Sequence, residues 1–128
     1  MPESPTSVRL PKKIAVLGPI PRDRIITYRG DVLHKYGCAL YTAIALSALV
    51  GEDGVIVPIV NVSDEDAGPI REMLSKYDNI DLTGIRAVGD RGAVVELRFL
   101  DQNRRLERQK GFMAPITPAD VEFALDAE

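Results

Sequence analysis

The clearest pattern along the chain is a run that is apolar at nearly every position, Val55-Ile56-Val57-Pro58-Ile59-Val60, as a strand buried on both faces requires. Before it, Leu40, Ala43, Ile44, Leu46 and Leu49 recur at helical spacing between the small-residue turn Gly37-Cys38-Ala39 and Gly51, with Glu52-Asp53-Gly54 as the turn into the run. A helix feeding a buried strand is a crossover unit, the building block of an α/β sheet. Beyond the strand, Asn61 to Gly68 reads as a polar, acidic loop leading to another helix, which is where open α/β sheets place their ligands.

The same reading extends outward from that unit. Residues 1–12 are polar and proline-bearing without periodicity, a flexible tail. Lys13 to Leu17, stopped by Gly18 and Pro19, is the first central strand. Pro21-Arg22-Asp23 forms a turn, and Arg24 to Arg29 with Val32-Leu33 across the Gly30-Asp31 reversal forms a small hairpin standing off the main sheet. Ile70, Met73 and Leu74 form a helical stripe within Pro69 to Tyr77, and Asn79 to Ile85 is a strand or connection. Ala93 to Leu100 is a strand with Glu96 and Arg98 on one, solvated face, and Arg104 to Gln109 is its hairpin partner. Thr117-Pro118-Ala119-Asp120 is a helix start by its cap residue, first-position proline and early acid, and Val121, Phe123, Ala124 and Leu125 continue it.

Composition changes the picture mainly by exclusion. A chain of 128 residues allows one ordinary domain, and 45% hydrophobic with 27% charged residues is the balance of a soluble globular protein. A net charge of -3 and a sequence pI near 5.2 leave no basic surplus for a nucleic-acid backbone. No apolar run reaches membrane-spanning length. The single cysteine, Cys38, makes no internal disulfide, so a reducing cytoplasm is the simplest compartment. The chain has no Walker loop and no GxGxxG.

From about Lys13 to Glu128 the order of elements resembles the N-terminal portion of the ribokinase/PfkB carbohydrate kinase family. That family opens with a strand ending in Gly, four residues, then Asp, which Gly18 to Asp23 fits; Tyr36-Gly37-Cys38-Ala39-Leu40-Tyr41 occupies its Gly-Gly turn, and Val62 to Gly68 its VGxDxxG loop. The departures are Tyr36 for the first Gly of the pair, Tyr41 where an Asn is common, Ser63 for a Gly, and Glu65 where Asp is usual. The resemblance implies an open, mainly parallel sheet flanked by helices over residues 13–128, with lid strands near 24–35 and 93–109 and with the C-terminal part of the fold absent. It also implies ATP and Mg2+ bound outside this chain, because the family's downstream GAGD motif, with its catalytic Asp and phosphate site, has no counterpart here.

In that frame the substrate-binding candidates are Asp23, Gly37, Cys38 and Tyr41. Asp23 accepts hydrogen bonds from substrate hydroxyls or else caps the Pro21 bend; Gly37 admits a close backbone approach or is a plain helix-entry turn; Tyr41 stacks on a ring or simply packs. Asp64, Glu65 and Asp66 read as cap and dipole residues rather than a metal set, and His34 and Cys38 as structural. Arg98, Arg104, Arg105 and Arg108 either edge an anionic ligand or deter strand pairing. Two functions follow: the substrate-binding portion of an ATP-dependent sugar or nucleoside kinase, inactive by itself and able to pair through its lid strands, or a non-catalytic α/β module that binds a metabolite or a partner.

Overall fold

The computed structural model describes residues 12–127. The expected flexible tail, 1–12, therefore lies outside the described residues except for Lys12, which opens the first strand. Two sheets form. In the first, β1 (Lys12–Leu17), β4 (Gly54–Val62) and β5 (Ile85–Ala87) run parallel in the order β1-β4-β5. In the second, β2 (Arg22–Ile26), β3 (Val32–Tyr36), β6 (Val94–Phe99) and β7 (Arg105–Lys110) are ordered β3-β2-β6-β7. Two antiparallel hairpins make up this sheet, and a parallel pairing of β2 with β6 joins them.

The first sheet is covered on both faces. Helices α1 (Ala39–Val50) and α2 (Asp64–Leu74) pack Leu40, Ala43, Ile70 and Leu74 against Ile56, Val60 and Val62 on one face. On the other, the single turn α3 (Pro118–Val121), continued as a 3₁₀ turn to Ala124, packs Val121 and Ala124 against Val57 and Ile59. Every residue of β4 but Val55 is buried, so the double-sided apolar run has its cause in helices above and below. This is an open, mainly parallel α/β sheet with a separate β flap, as the pattern of elements implies.

Several details differ from the sequence expectation. Arg22 and Asp23 lie inside β2, paired with Tyr36 and Lys35, so Asp23 caps no bend. The expected acidic loop shrinks to Ser63, because β4 runs on through Asn61 and Val62 and α2 starts at Asp64. Leu49 is not a core position: it is 83% exposed, on a helix with no charged residue on any face. The C-terminal helix is shorter than expected, with Thr117 at its cap, the Thr117 N–H donating to the Asp120 carboxylate at 2.9 Å, and Asp120 paired to Arg86 of β5. On the expected solvated face Arg98 is exposed, while Glu96 is half-buried and accepts hydrogen bonds from Arg24 (2.9 Å) and Lys110 (3.2 Å).

Candidate substrate site

The hairpin brings Asp23 and Gly37 into contact. Strand alternation sends Asp23 to one face of β2 with Ile25, while Arg22 and Arg24 take the other. On the Asp23 face, Lys35, Val95 and Gln109 stand in the same row, with Leu33, Leu97 and Glu107 in the next row but one. A Cβ at Gly37 would sit 2.3 Å from Asp23 Oδ2 and 3.1 Å from its Cγ, so the carboxylate occupies the space that a side chain at 37 would need. Among the described residues that carboxylate has no hydrogen-bond or ion-pair partner. Burial, together with the nearby Glu107, raises its pKa above the ordinary aspartate value. A partly desolvated acid left without donors has free hydrogen-bond accepting capacity.

The turn between β3 and α1 is held from both sides. Gly37 N–H donates to Pro21 O at 3.1 Å and Ala39 N–H to Pro19 O at 3.0 Å, which ties the turn to the β1–β2 connection. Gly37 therefore spends its own amide inside the protein. Between the two bonds Cys38 adopts φ 51, ψ -115, unfavourable for an L residue, and only such bracketing keeps it there. The Cys38 N–H has no hydrogen-bond partner among the described residues, which leaves it as the amide of this turn free to donate. Cys38 is an exposed free thiol. Tyr41 follows on the first turn of α1, 53% exposed, with its ring packed into neither core.

A cavity of about 250 Å³ opens at the C-terminal ends of β1 and β4, lined by Gly18, Pro19, Asn61, Gln109 and the 112–116 segment. Its position is that of ligand clefts in open α/β sheets, and its size falls just below the roughly 300–1,000 Å³ of small-molecule sites. Asn61, 7% exposed, anchors one wall by donating to Ala114 O (2.9 Å) and Pro115 O (3.4 Å). None of the four expected site residues lines it; it meets their turn through Pro19. A polar residue at the end of an otherwise apolar buried strand was the available sequence signal for Asn61, while Phe112 and Met113 carried none.

Among the described residues no group of three or more His, Cys, Asp or Glu is placed to hold a metal ion. The three acids lie inside the first turn of α2, where the helix dipole favours them, and the cap is Ser63 instead: Ser63 Oγ accepts from Asp66 N–H at 3.1 Å, and Asp66 accepts from Ser63 Oγ at 2.8 Å, Tyr36 Oη at 2.9 Å and Arg22. Burial alone would raise the Asp66 carboxyl, but the bonds from Arg22, Ser63 and Tyr36 outweigh it and hold the pKa below the ordinary value. The arginines of the second hairpin are partly neutralised, Arg104 by Asp101 and Arg105 by Glu107, both at 2.7 Å. Among the described residues no helix is long and apolar enough to cross a membrane.

No family model and no curated protein matches the chain in sequence. Solved structures do match in shape. A sugar kinase from Pyrococcus horikoshii, described as uncharacterized, superposes with TM-score 0.70 at 22% identity over 88% of this chain and 39% of its own. A fructokinase from Xylella fastidiosa, solved with bound ATP, matches with TM-score 0.65 at 16% identity over 83% of this chain and 32% of its own. A nucleoside kinase from Burkholderia thailandensis, solved with inosine, matches with TM-score 0.61 at 19% identity over 77% and 35%. The chain thus has the fold of the N-terminal portion of the ribokinase-family sugar and nucleoside kinases. It spans about two fifths of the length of the first of these structures.

Proposed function

We propose that the chain is the substrate-binding portion of a small-molecule kinase that phosphorylates a hydroxyl of a sugar or nucleoside. One observation carries the reading: the partnerless Asp23 carboxylate lies against Gly37, beside the free Cys38 amide, at the ligand end of a parallel sheet in a kinase fold. Asp23 accepts from substrate hydroxyls, the Cys38 N–H donates to a substrate oxygen, and Tyr41 offers an exposed ring at the same turn. ATP and Mg2+, which supply and steady the transferred phosphoryl group, would be held by the portion of the kinase fold that this chain does not span. The exposed free cysteine suits a reducing cytoplasm, where such a kinase meets ATP.

On this reading the open edge of β1 and the outer face of α1 would seat that portion. β1 pairs with β4 on one edge and with no described strand on the other. Helix α1, packed on β4 and β1, exposes Tyr41, Thr42, Ala45, Ala48 and Leu49, a face without charge and with two alanines that let a second helix come close. A parallel strand added at β1 and a helix laid on α1 would continue the sheet. The flap's outer strands β3 and β7 are also open edges, and a homodimer through them is the other contact the reading allows.

The test is amide NMR of the purified chain titrated with fructose and with inosine. Shifts at Cys38 and Tyr41 that Asp23→Asn removes are the expected result, without ATP turnover. Saturable binding that Asp23→Asn leaves unchanged would refute the site. No binding of any sugar or nucleoside would favour the second reading, a non-catalytic interaction module, for which the uncharged face of α1 is the supporting observation.

A further inference from the structure

We propose that Asp66 is a positioning residue: it fastens the flap from behind so that Asp23 and Gly37 stay together in front. The inference rests on Asp23 and Gly37 forming the ligand site. Asp66 is 4% exposed and takes hydrogen bonds from three segments, Arg22 of β2, Tyr36 of β3 and Ser63 at the start of α2. Arg22 and Tyr36 are cross-strand partners, and each immediately precedes a site residue, Arg22 before Asp23 and Tyr36 before Gly37. Alternation along a strand turns neighbouring side chains to opposite faces, so a clamp on residue 22 fixes residue 23 without touching its ligand side.

The clamp draws on the positions where this chain departs from the ribokinase pattern. Tyr36 and Ser63 stand where that pattern has glycine, and they supply two of the three side-chain donors to Asp66. Glycine at both positions would leave Asp66 with Arg22 alone. In this chain the two departures thus have one shared consequence, a polar fastening on Asp66. Gly92, just before β6, permits it, since a Cβ there would stand 2.7 Å from Asp66 Oδ2. Glu65 adds a weaker contact to Arg22 at 3.4 Å.

The readout is amide hydrogen exchange on the ligand-free chain, which judges the clamp independently of whether any sugar binds. In Asp66→Asn, protection is expected to fall about tenfold or more across residues 22–26 and 32–37 while residues 54–62 change less than twofold. Tyr36→Phe, which removes one donor and no charge, is expected to reproduce the pattern at about threefold and serves if Asp66→Asn does not fold. The Asp23 carboxyl, followed by NMR in the same variants, should move toward the ordinary aspartate range as the hairpin loosens. Loss of protection spread evenly over both sheets would make Asp66 a general stabiliser and overturn the proposal. Unchanged protection of the flap, or an Asp23 titration unaffected in both variants, would overturn it equally. Loss of fructose or inosine binding with intact flap protection would count against the clamp while leaving the site reading in place.

Discussion

Adding a single methyl group at Gly37 tests the contact on which the site reading depends. The Cβ would lie 2.3 Å from Asp23 Oδ2, 3.1 Å from Cγ and 3.3 Å from Oδ1. Carbon and oxygen approach without strain to about 3.3 Å, so the first distance is an overlap of roughly 1 Å. Relief requires the carboxylate to leave its rotamer or β2 to part from β3, and such overpacking costs about 1–3 kcal/mol. For a domain of this size each kcal/mol lowers the melting temperature by about 4 °C. Gly37 is not among the positive-φ glycines, so Ala fits the backbone there and should even gain about 0.4–1 kcal/mol through the unfolded chain once the clash is gone. Gly37→Ala is therefore expected to destabilise the wild type but to be neutral or stabilising in an Asp23→Ala background, a coupling of about 1 kcal/mol or more by urea denaturation. Coupling below about 0.3 kcal/mol would mean the two residues do not touch, and the shared site would fall with them.

The remaining expectations concern the same region. Asp23 has a raised folded pKa, so its charge costs stability as pH rises through that value and costs nothing below the unfolded value of about 3.9. Asp23→Asn should accordingly raise the melting temperature near pH 7, with the difference closing under acid; destabilisation at neutral pH would refute the assignment. Asp66, with its pKa lowered, carries the opposite sign: its contribution is full above the unfolded value and fades as pH falls through the folded one, so the loss of flap protection in Asp66→Asn, corrected for intrinsic exchange, should be largest at neutral pH and shrink under acid. Cys38→Gly removes the side chain from a glycine-favoured conformation and should stabilise by about 1 kcal/mol, and a loss of stability in thermal melts would show the strain to be absent. Leu49→Lys, on the exposed face of α1, should change stability by less than about 0.5 kcal/mol while weakening any association through that face measured by sedimentation.

How much of this was legible in the sequence depends on whether a residue's neighbours are local. The double-sided burial of β4 and the cap at Thr117 were readable because run length and cap chemistry are properties of short windows. Leu49 was misplaced because helical spacing marks an apolar position without saying which face the body covers. Asp23 looked like a turn residue beside Pro21, but pairing with the strand that ends at Tyr36 draws it into β2. The helix start at Asp64 to Asp66 was legible from its run of acids, although the cap itself is Ser63, one residue earlier. The further donors to Asp66 were not, because Arg22 and Tyr36 come from strands that lie 44 and 30 residues away. The same distance in sequence hid the cavity wall that Asn61 makes with Ala114 and Pro115.

The parallel seam between β2 and β6 has a consequence for biosynthesis. Arg24 and its partner Glu96 are separated by 72 residues, and at about 5–20 residues per second the ribosome takes roughly 4–14 s to deliver the second after the first. Through that interval the β2 edge of the first hairpin is unmatched, while α1 and β4 are being made. The flap thus closes only after β1, α1 and β4 are complete, and the interval before Glu96 emerges is when a chaperone or a neighbouring polypeptide has the best access to its first hairpin.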